Sequence, residues 1–231
     1  MELLWRQRLF APAGALLLRY HGDSRRRGGS HEQLRLWRQL MSRRFSVCCC
    51  LAAHEGADDA LPHIKTVATE ALWRGSAEPL LAAWQHCFFS ERHGFQQLAR
   101  RLLRQPTARR QLEPYVLRVV EEAQLAGRED VLRRLPEQAL AVGEPHLYPL
   151  VFGALLDYQC LVEDVNSAQE TFKLVSTLSI RLPSAVIDRY FSLLQRHRLK
   201  APASLLRMKY RQRPPGGSAV PPAPPAWWVK W

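Results

Sequence analysis

Between residues 58 and 210 the apolar side chains recur three and four residues apart, interrupted at short intervals by proline, glycine or serine. No stretch sustains the period-two alternation of Val, Ile and Thr that a half-buried strand needs. A three-and-four spacing gathers apolar groups on one side of a helix and scatters them on a strand, so the fold class is all-α.

The spacing predicts helices over Asp59 to Arg74, around Leu61, Ile64, Val67 and Leu72, and over Ala77 to Phe89, around Leu80, Leu81, Trp84 and Phe88. A third runs from Gly94 to Arg104, with Phe95, Leu98, Leu102 and Leu103, and Pro106 ends it. Glu113 to Ala126 follows with Pro114 in the first turn, Val116, Val119, Val120 and Ala123 on one face and Gly127 to close it. In REDVLRRLPEQALAV, Pro136 removes a backbone donor and is expected to kink or divide the helix. Pro145 then precedes HLYPLVFGALLDYQCLV, an apolar helix of about four turns.

SAQETFKLVSTLSIRLPS, residues 167 to 184, reads as a whole helix with start and stop. Ser167 and Glu170 have capping-box spacing, Ala168, Phe172, Val175 and Leu178 form the apolar face, and Pro183 disfavours helical geometry at Leu182. Ser184 is placed to cap Ala185 to Arg198. Short helices joined by a few residues are the pattern of helical hairpins.

Charge divides the chain further. The net +12 sits at the ends: residues 1 to 45 carry ten arginines against Glu2, Asp23 and Glu32, and residues 188 to 213 carry eight Lys or Arg against Asp188 alone. The middle holds 14 basic and 17 acidic residues, which excludes a basic stripe along the whole chain. No apolar run approaches the roughly 20 residues a bilayer span needs, so no membrane span is expected.

Residues 1 to 45 are Arg-rich and acid-poor with interspersed apolar residues, the composition of a mitochondrial transit peptide or of a disordered basic leader. RRFS at 43 to 46 resembles a mitochondrial processing site, which would start the mature chain near Ser46. At the other end, residues 211 to 231 form a Pro-rich tail, expected to be disordered, that contains Trp227, Trp228 and Trp231.

Little here is catalytic. Cys48, Cys49 and Cys50 are consecutive and unsuited to one tetrahedral metal, while Cys87 and Cys160 have no CxxC partner. His86, Cys87 and His93 have too loose a spacing to define a ligand set. Glu121 and Glu122 point to different sides of a helix. With no Gly-rich phosphate loop and no nucleophile motif, neither enzymatic activity nor a cofactor is expected.

Tyr115 and Tyr148 each open an apolar helix after a proline, 33 residues apart, and Pro145 and Pro183 are 38 apart. Two helices per unit of about that length suggest a solenoid of helical-hairpin repeats over residues 58 to 210. YVLRVVEEAQLAGRED resembles the first helix and turn of a pentatricopeptide repeat. AQETFKLVSTLSIRLPS resembles its second helix, with Ala168, Phe172, Val175, Ser179 and Ile180 where that family favours small, aromatic, apolar, glycine and isoleucine. The resemblance covers about residues 113 to 200 and implies an α-solenoid acting on organellar RNA. In that family a polar residue just after the first-helix aromatic helps to read the base; those positions here hold Val116 and Pro149, with His146 and Ser184 near the repeat ends.

The expected role is therefore binding of an organellar transcript in the mitochondrial matrix, supporting its processing, stability or translation. The candidate RNA-binding residues are Arg189, Arg196, Arg198, Lys200, Arg207, Lys209, Arg211 and Arg213, for phosphates, and Tyr210 for stacking. Arg100, Arg101, Arg104, Arg109 and Arg110 form a weaker basic group. The alternative is a non-catalytic protein-interaction scaffold or assembly factor, with a protein partner on the helical repeat face.

Overall fold

The computed structural model describes residues 1–22 and 31–211, and twelve α-helices without a strand among them. The all-α expectation holds. The chain divides into two compact units, Met1–Gly143 and a second that begins at Glu144.

The first unit contains α1 (Glu2–Arg6), α2 (Phe10–Gly22), α3 (His31–Glu55), α4 (Leu61–Trp73), α5 (Glu78–Phe89), α6 (His93–Arg104), α7 (Pro106–Leu125) and α8 (Glu129–Val142). Helix α5 is central and packs on α3, α4, α6 and α7. It buries Leu80, Ala83, Trp84, Cys87 and Phe88, and the rings of Trp84 and Phe88 stack at 5.4 Å. Helix α4 turns Ile64, Val67, Ala68 and Ala71 inward at i, i+3, i+4 and i+7. Pro62, Pro79 and Pro106 all stand in first turns, where an amide would have no intrahelical partner.

The segment read as a leader contributes to this core. Trp5, Phe10, Ala13, Leu17, Leu18 and Phe45 are buried, and α2 packs against α3 and α4. Trp5 meets Phe10 edge to face at 4.9 Å. Arg43 to Ser46, the resemblance to a processing site, lies inside the 25-residue helix α3. The SRRRGGS stretch falls on residues 24 to 30, outside the described residues.

In the second unit the helices are α9 (Tyr148–Leu161), α10 (Val165–Thr177), α11 (Ser184–Arg196) and α12 (Ala203–Arg211). Helix α9 is apolar around most of its circumference and packs on α10 and α11. Phe172 of α10 stacks on Tyr190 of α11 at 4.8 Å, and α12 packs on α11. The tail from residue 212 onward, including its tryptophans, lies outside the described residues.

Several local expectations are corrected. Helix α7 starts at Pro106, so Pro114 is interior to it; Pro114 is exposed, which leaves water to take the Arg110 carbonyl. Pro136 does not divide α8, because Val131, Leu132, Leu135 and Ala139 pack on both sides of it. Burial of four such groups outweighs the roughly 3 kcal/mol an interior proline costs. Helix α10 starts at Val165 and not at a Ser167 cap: Asp164 Oδ1 accepts from the Ser167 amide at 3.1 Å. Pro183 stands at the N-cap of α11, which ends at Arg196, leaving Arg198 outside the helix.

Arg198 has φ of 54°, in the left-handed region, and its turn is closed by two bonds: the Leu199 amide to the Leu194 carbonyl at 2.9 Å and its own amide to Gln195 at 3.0 Å. The same two bonds close the turn at Gly127, after α7; at Glu163, after α9, the Asp164 amide bonds to the Gln159 carbonyl at 3.0 Å. Gly127 to Glu163 is 36 residues and Glu163 to Arg198 is 35. Left-handed residues also close α8 and α10, at Gly143 and Ser179, 36 apart.

Candidate nucleic-acid interface

The basic residues singled out in the sequence are distributed over α11, the segment after it and α12. Three of them are neutralised by acids of the same unit. Arg189 Nη1 donates to Asp157 of α9. Arg196 Nη1 lies 2.6 Å from Glu163, in the turn that follows α9. Lys209 Nζ lies 3.0 Å from Asp188 and 4.0 Å from the centre of the Phe191 ring, a cation–π contact. Exposed pairs of this kind add about 1 kcal/mol or less to stability, but they remove positive potential from the surface.

Arg198, Lys200 and Arg207 are exposed and form no ion pair with a described residue. Of the candidates whose side chains are described, these three are the cations available to a polyanion. Tyr210 and Arg211 lie in α12 with side chains outside the described set, and Arg213 lies outside the described residues altogether. In the weaker group, Arg109 faces Glu113 at 3.8 Å along α7.

Arg181 belongs with the available cations and was not singled out in the sequence, where it stands alone between Ile180 and Leu182. It is exposed and has no ion pair among the described residues. Arg181 and Arg207 line one cleft together with Ser176, Ser179 and Ser204. No local spacing rule links residues 176 to 181 with 204 to 207; the fold of α10 against α12 does.

Val116 is buried, which removes it from any surface role in reading a base. Pro149 stands in the first turn of α9.

Four of the five thiols are buried and poor nucleophiles. Burial pushes Cys48, Cys87 and Cys160 up to about 12 and raises Cys49 well above its ordinary value. Cys50 is exposed. His86, Cys87 and His93 take separate partners: His93 lies 2.7 Å from Gln97, whereas His86 Nε2 lies 2.8 Å from Ser46 Oγ. Desolvation lowers the His86 pKa, against an opposite pull from Glu122. The Glu122 carboxylate is taken by Gln85 at 2.5 Å and Arg118 at 3.0 Å, and among the described residues no acid hydrogen-bonds His86.

No described helix is long and apolar enough to cross a membrane. Comparison with protein-family models, with curated proteins and with solved structures returned no match to this chain.

Proposed function

We propose that the chain is a helical-hairpin repeat protein of pentatricopeptide type, an α-solenoid that binds organellar RNA without catalysis and supports its processing, stability or translation in the mitochondrial matrix. The observation that carries this reading is the register of left-handed turns at Gly127, Glu163 and Arg198, with Gly143 and Ser179 between them. A turn after the first helix and another after the second, returning every 35 or 36 residues, is the spacing of a hairpin repeat. Arg198, Lys200 and Arg207, exposed and without acidic partners among the described residues, supply the phosphate contacts. The matrix address rests on the leader composition alone.

The test is RNA affinity as a function of salt. Reversing Arg198, Lys200 and Arg207 to glutamate is expected to lower the slope of log K against log salt by about 2, from about 0.7 per phosphate contact on a single strand. An unchanged slope, or no salt-sensitive RNA binding by the parent chain, sinks the reading.

A protein-interaction scaffold is favoured by a different observation. Leu125 and Leu161, each two residues before a left-handed turn, are 90% and 61% exposed. Equivalent leucines held in water at equivalent repeat positions suit an apolar partner surface. Pull-down that depends on both leucines and survives nuclease treatment would favour this second reading.

A further inference from the structure

Within the second unit a cleft of about 470 Å3 lies between the end of α10, the segment leaving it and the first turns of α12. Its polar lining is Arg181, Arg207 and the hydroxyls of Ser176, Ser179 and Ser204, with no acid among them. Ile180 and Met208 complete it. Ser176 Oγ donates to Ser204 Oγ at 3.3 Å, which ties α10 to α12 across the cleft.

The polar side chains of the lining are all groups that can donate to an anion. Each guanidinium brings a planar fork of N–H groups suited to phosphate oxygens, and the Ser179 and Ser204 hydroxyls can turn their protons inward, while that of Ser176 is held by Ser204. The carbonyl end of α10 would repel an anion. Its Val175 and Ser176 carbonyls, however, already accept the amides of Ile180 and Ser179. The opposite wall is the amino-terminal turn of α12, whose partial charge is positive.

The donor count separates two kinds of phosphate. An internal phosphodiester carries one charge and two free oxygens, and a strand can pass it along an open surface. A terminal phosphomonoester carries nearly two charges and three free oxygens. One recess holds two guanidiniums with no acid partner among the described residues, each offering two N–H groups, and the free hydroxyls of Ser179 and Ser204. Together they exceed the roughly four lone pairs on a diester's two free oxygens and suit the three free oxygens of a monoester. We infer that this cleft holds the terminal phosphate of an RNA strand, an assignment that rests on the RNA-binding reading above.

The test uses the full-length chain and one 12-nucleotide RNA prepared with a 5′ phosphate, a 3′ phosphate, or hydroxyls at both ends, followed by fluorescence anisotropy. One phosphorylated form is expected to bind about tenfold tighter than the hydroxyl form, the worth of about one charge-assisted hydrogen bond. Arg181→Gln with Arg207→Gln abolishes the preference. Both side chains are on the surface, so folding, checked by circular dichroism, is retained. Ser179→Gly removes one hydroxyl at a position where glycine suits the backbone, and lowers the preference without harm to the fold.

Equal binding of all three RNAs overturns the cleft assignment and leaves the RNA reading standing. Binding of none overturns both. A phosphoserine peptide or inorganic phosphate that displaces the phosphorylated RNA as well as unlabelled phosphorylated RNA does assigns the cleft to phosphate alone, and overturns the RNA terminus as its ligand.

Discussion

Arg134 of α8 donates from Nη1 to the backbone carbonyl of Phe88 at 2.7 Å, and from the same nitrogen to that of Ser90 at 2.8 Å. These carbonyls end α5, where no further turn supplies amides to them. The guanidinium also lies over the Phe88 ring at 5.7 Å, and only 14% of the side chain is exposed. Gln96 also donates to the Ser90 carbonyl at 2.9 Å and Arg128 to that of Phe89 at 3.3 Å, so side chains of α6 and α8, with Arg128 just before α8, cap the end of the central helix of the first unit. Arg134→Met is expected to destabilise the chain by about 2–3 kcal/mol, the worth of buried carbonyls losing a charged donor. Arg134→Lys should recover less than half, because a single ammonium nitrogen cannot serve the two carbonyls and at the same time reach Asp130, which Arg134 pairs through Nη2. Urea denaturation of the three proteins measures this.

Asp130 links the same network to pH. Its carboxylate accepts Nε and Nη2 of Arg128 at 2.8 and 2.9 Å and also pairs with Arg134. The hydrogen bonds from Arg128, foremost, hold its carboxyl at about 2, against 3.8 ordinarily; burial, next in size, pulls the other way and the bond from Arg134 adds to the lowering. A depressed folded pKa contributes stability that is complete above pH 4 and is lost as pH falls towards 2. The side chain is half exposed, so solvent screening holds the contribution to about 1 kcal/mol. The stability difference between the parent and Asp130→Asn should shrink across that window; a difference constant from pH 5 to 2 refutes the assignment.

What the sequence revealed depended on range. Periodicity located α4, α5, α6, α9 and α11 because each apolar face is a local pattern. The leader is harder to judge, since an arginine-rich targeting segment and core helices with arginines on their outer side have the same composition; Phe10, Ala13 and Leu17 of α2 are buried, which composition alone does not reveal. Pro136 misleads because propensity is local and packing is not. At the surface, the balance counted between residues 188 and 213 omits Asp157 and Glu163, delivered from elsewhere to Arg189 and Arg196. Arg181 was passed over for the converse reason: its neighbours in space, Ser204 and Arg207, are distant in sequence.

Two helical glycines should respond oppositely to alanine. A Cβ on Gly14 of α2 would stand 2.7 Å from Cγ2 of Val67, a stiff β-branched side chain buried in α4. A Cβ on Gly153 of α9 meets nothing nearer than 3.5 Å, at Pro183. Alanine is favoured over glycine in a helix by about 1 kcal/mol, whereas overpacking costs about 1–3 kcal/mol. Gly153→Ala is expected to raise the melting temperature and Gly14→Ala to lower it. Faster amide exchange in α2 and α4 of the Gly14 variant would locate the damage; protection equal to the parent's would mean that α2 contributes nothing to the first unit.

The left-handed turns offer the last test. Ser179, Glu163 and Arg198 occupy φ of 54° to 60°, where a side chain costs about 1 kcal/mol or more and glycine costs nothing comparable. At the matching positions of α7 and α8 the chain already has glycine, Gly127 and Gly143. Ser179→Gly should therefore stabilise the second unit by roughly 0.5–1 kcal/mol, after the extra entropy of an unfolded glycine is set against the relieved strain. Arg198→Gly should show the same sign, because its guanidinium has no acid partner among the described residues to lose. Glu163→Gly gains the same relief but forfeits the pair with Arg196, so it should stabilise least of the three. Thermal melts of the three variants give the order directly. Loss of stability in all of them would show that these residues do not adopt left-handed turns, and the 35- and 36-residue register would lose its physical basis.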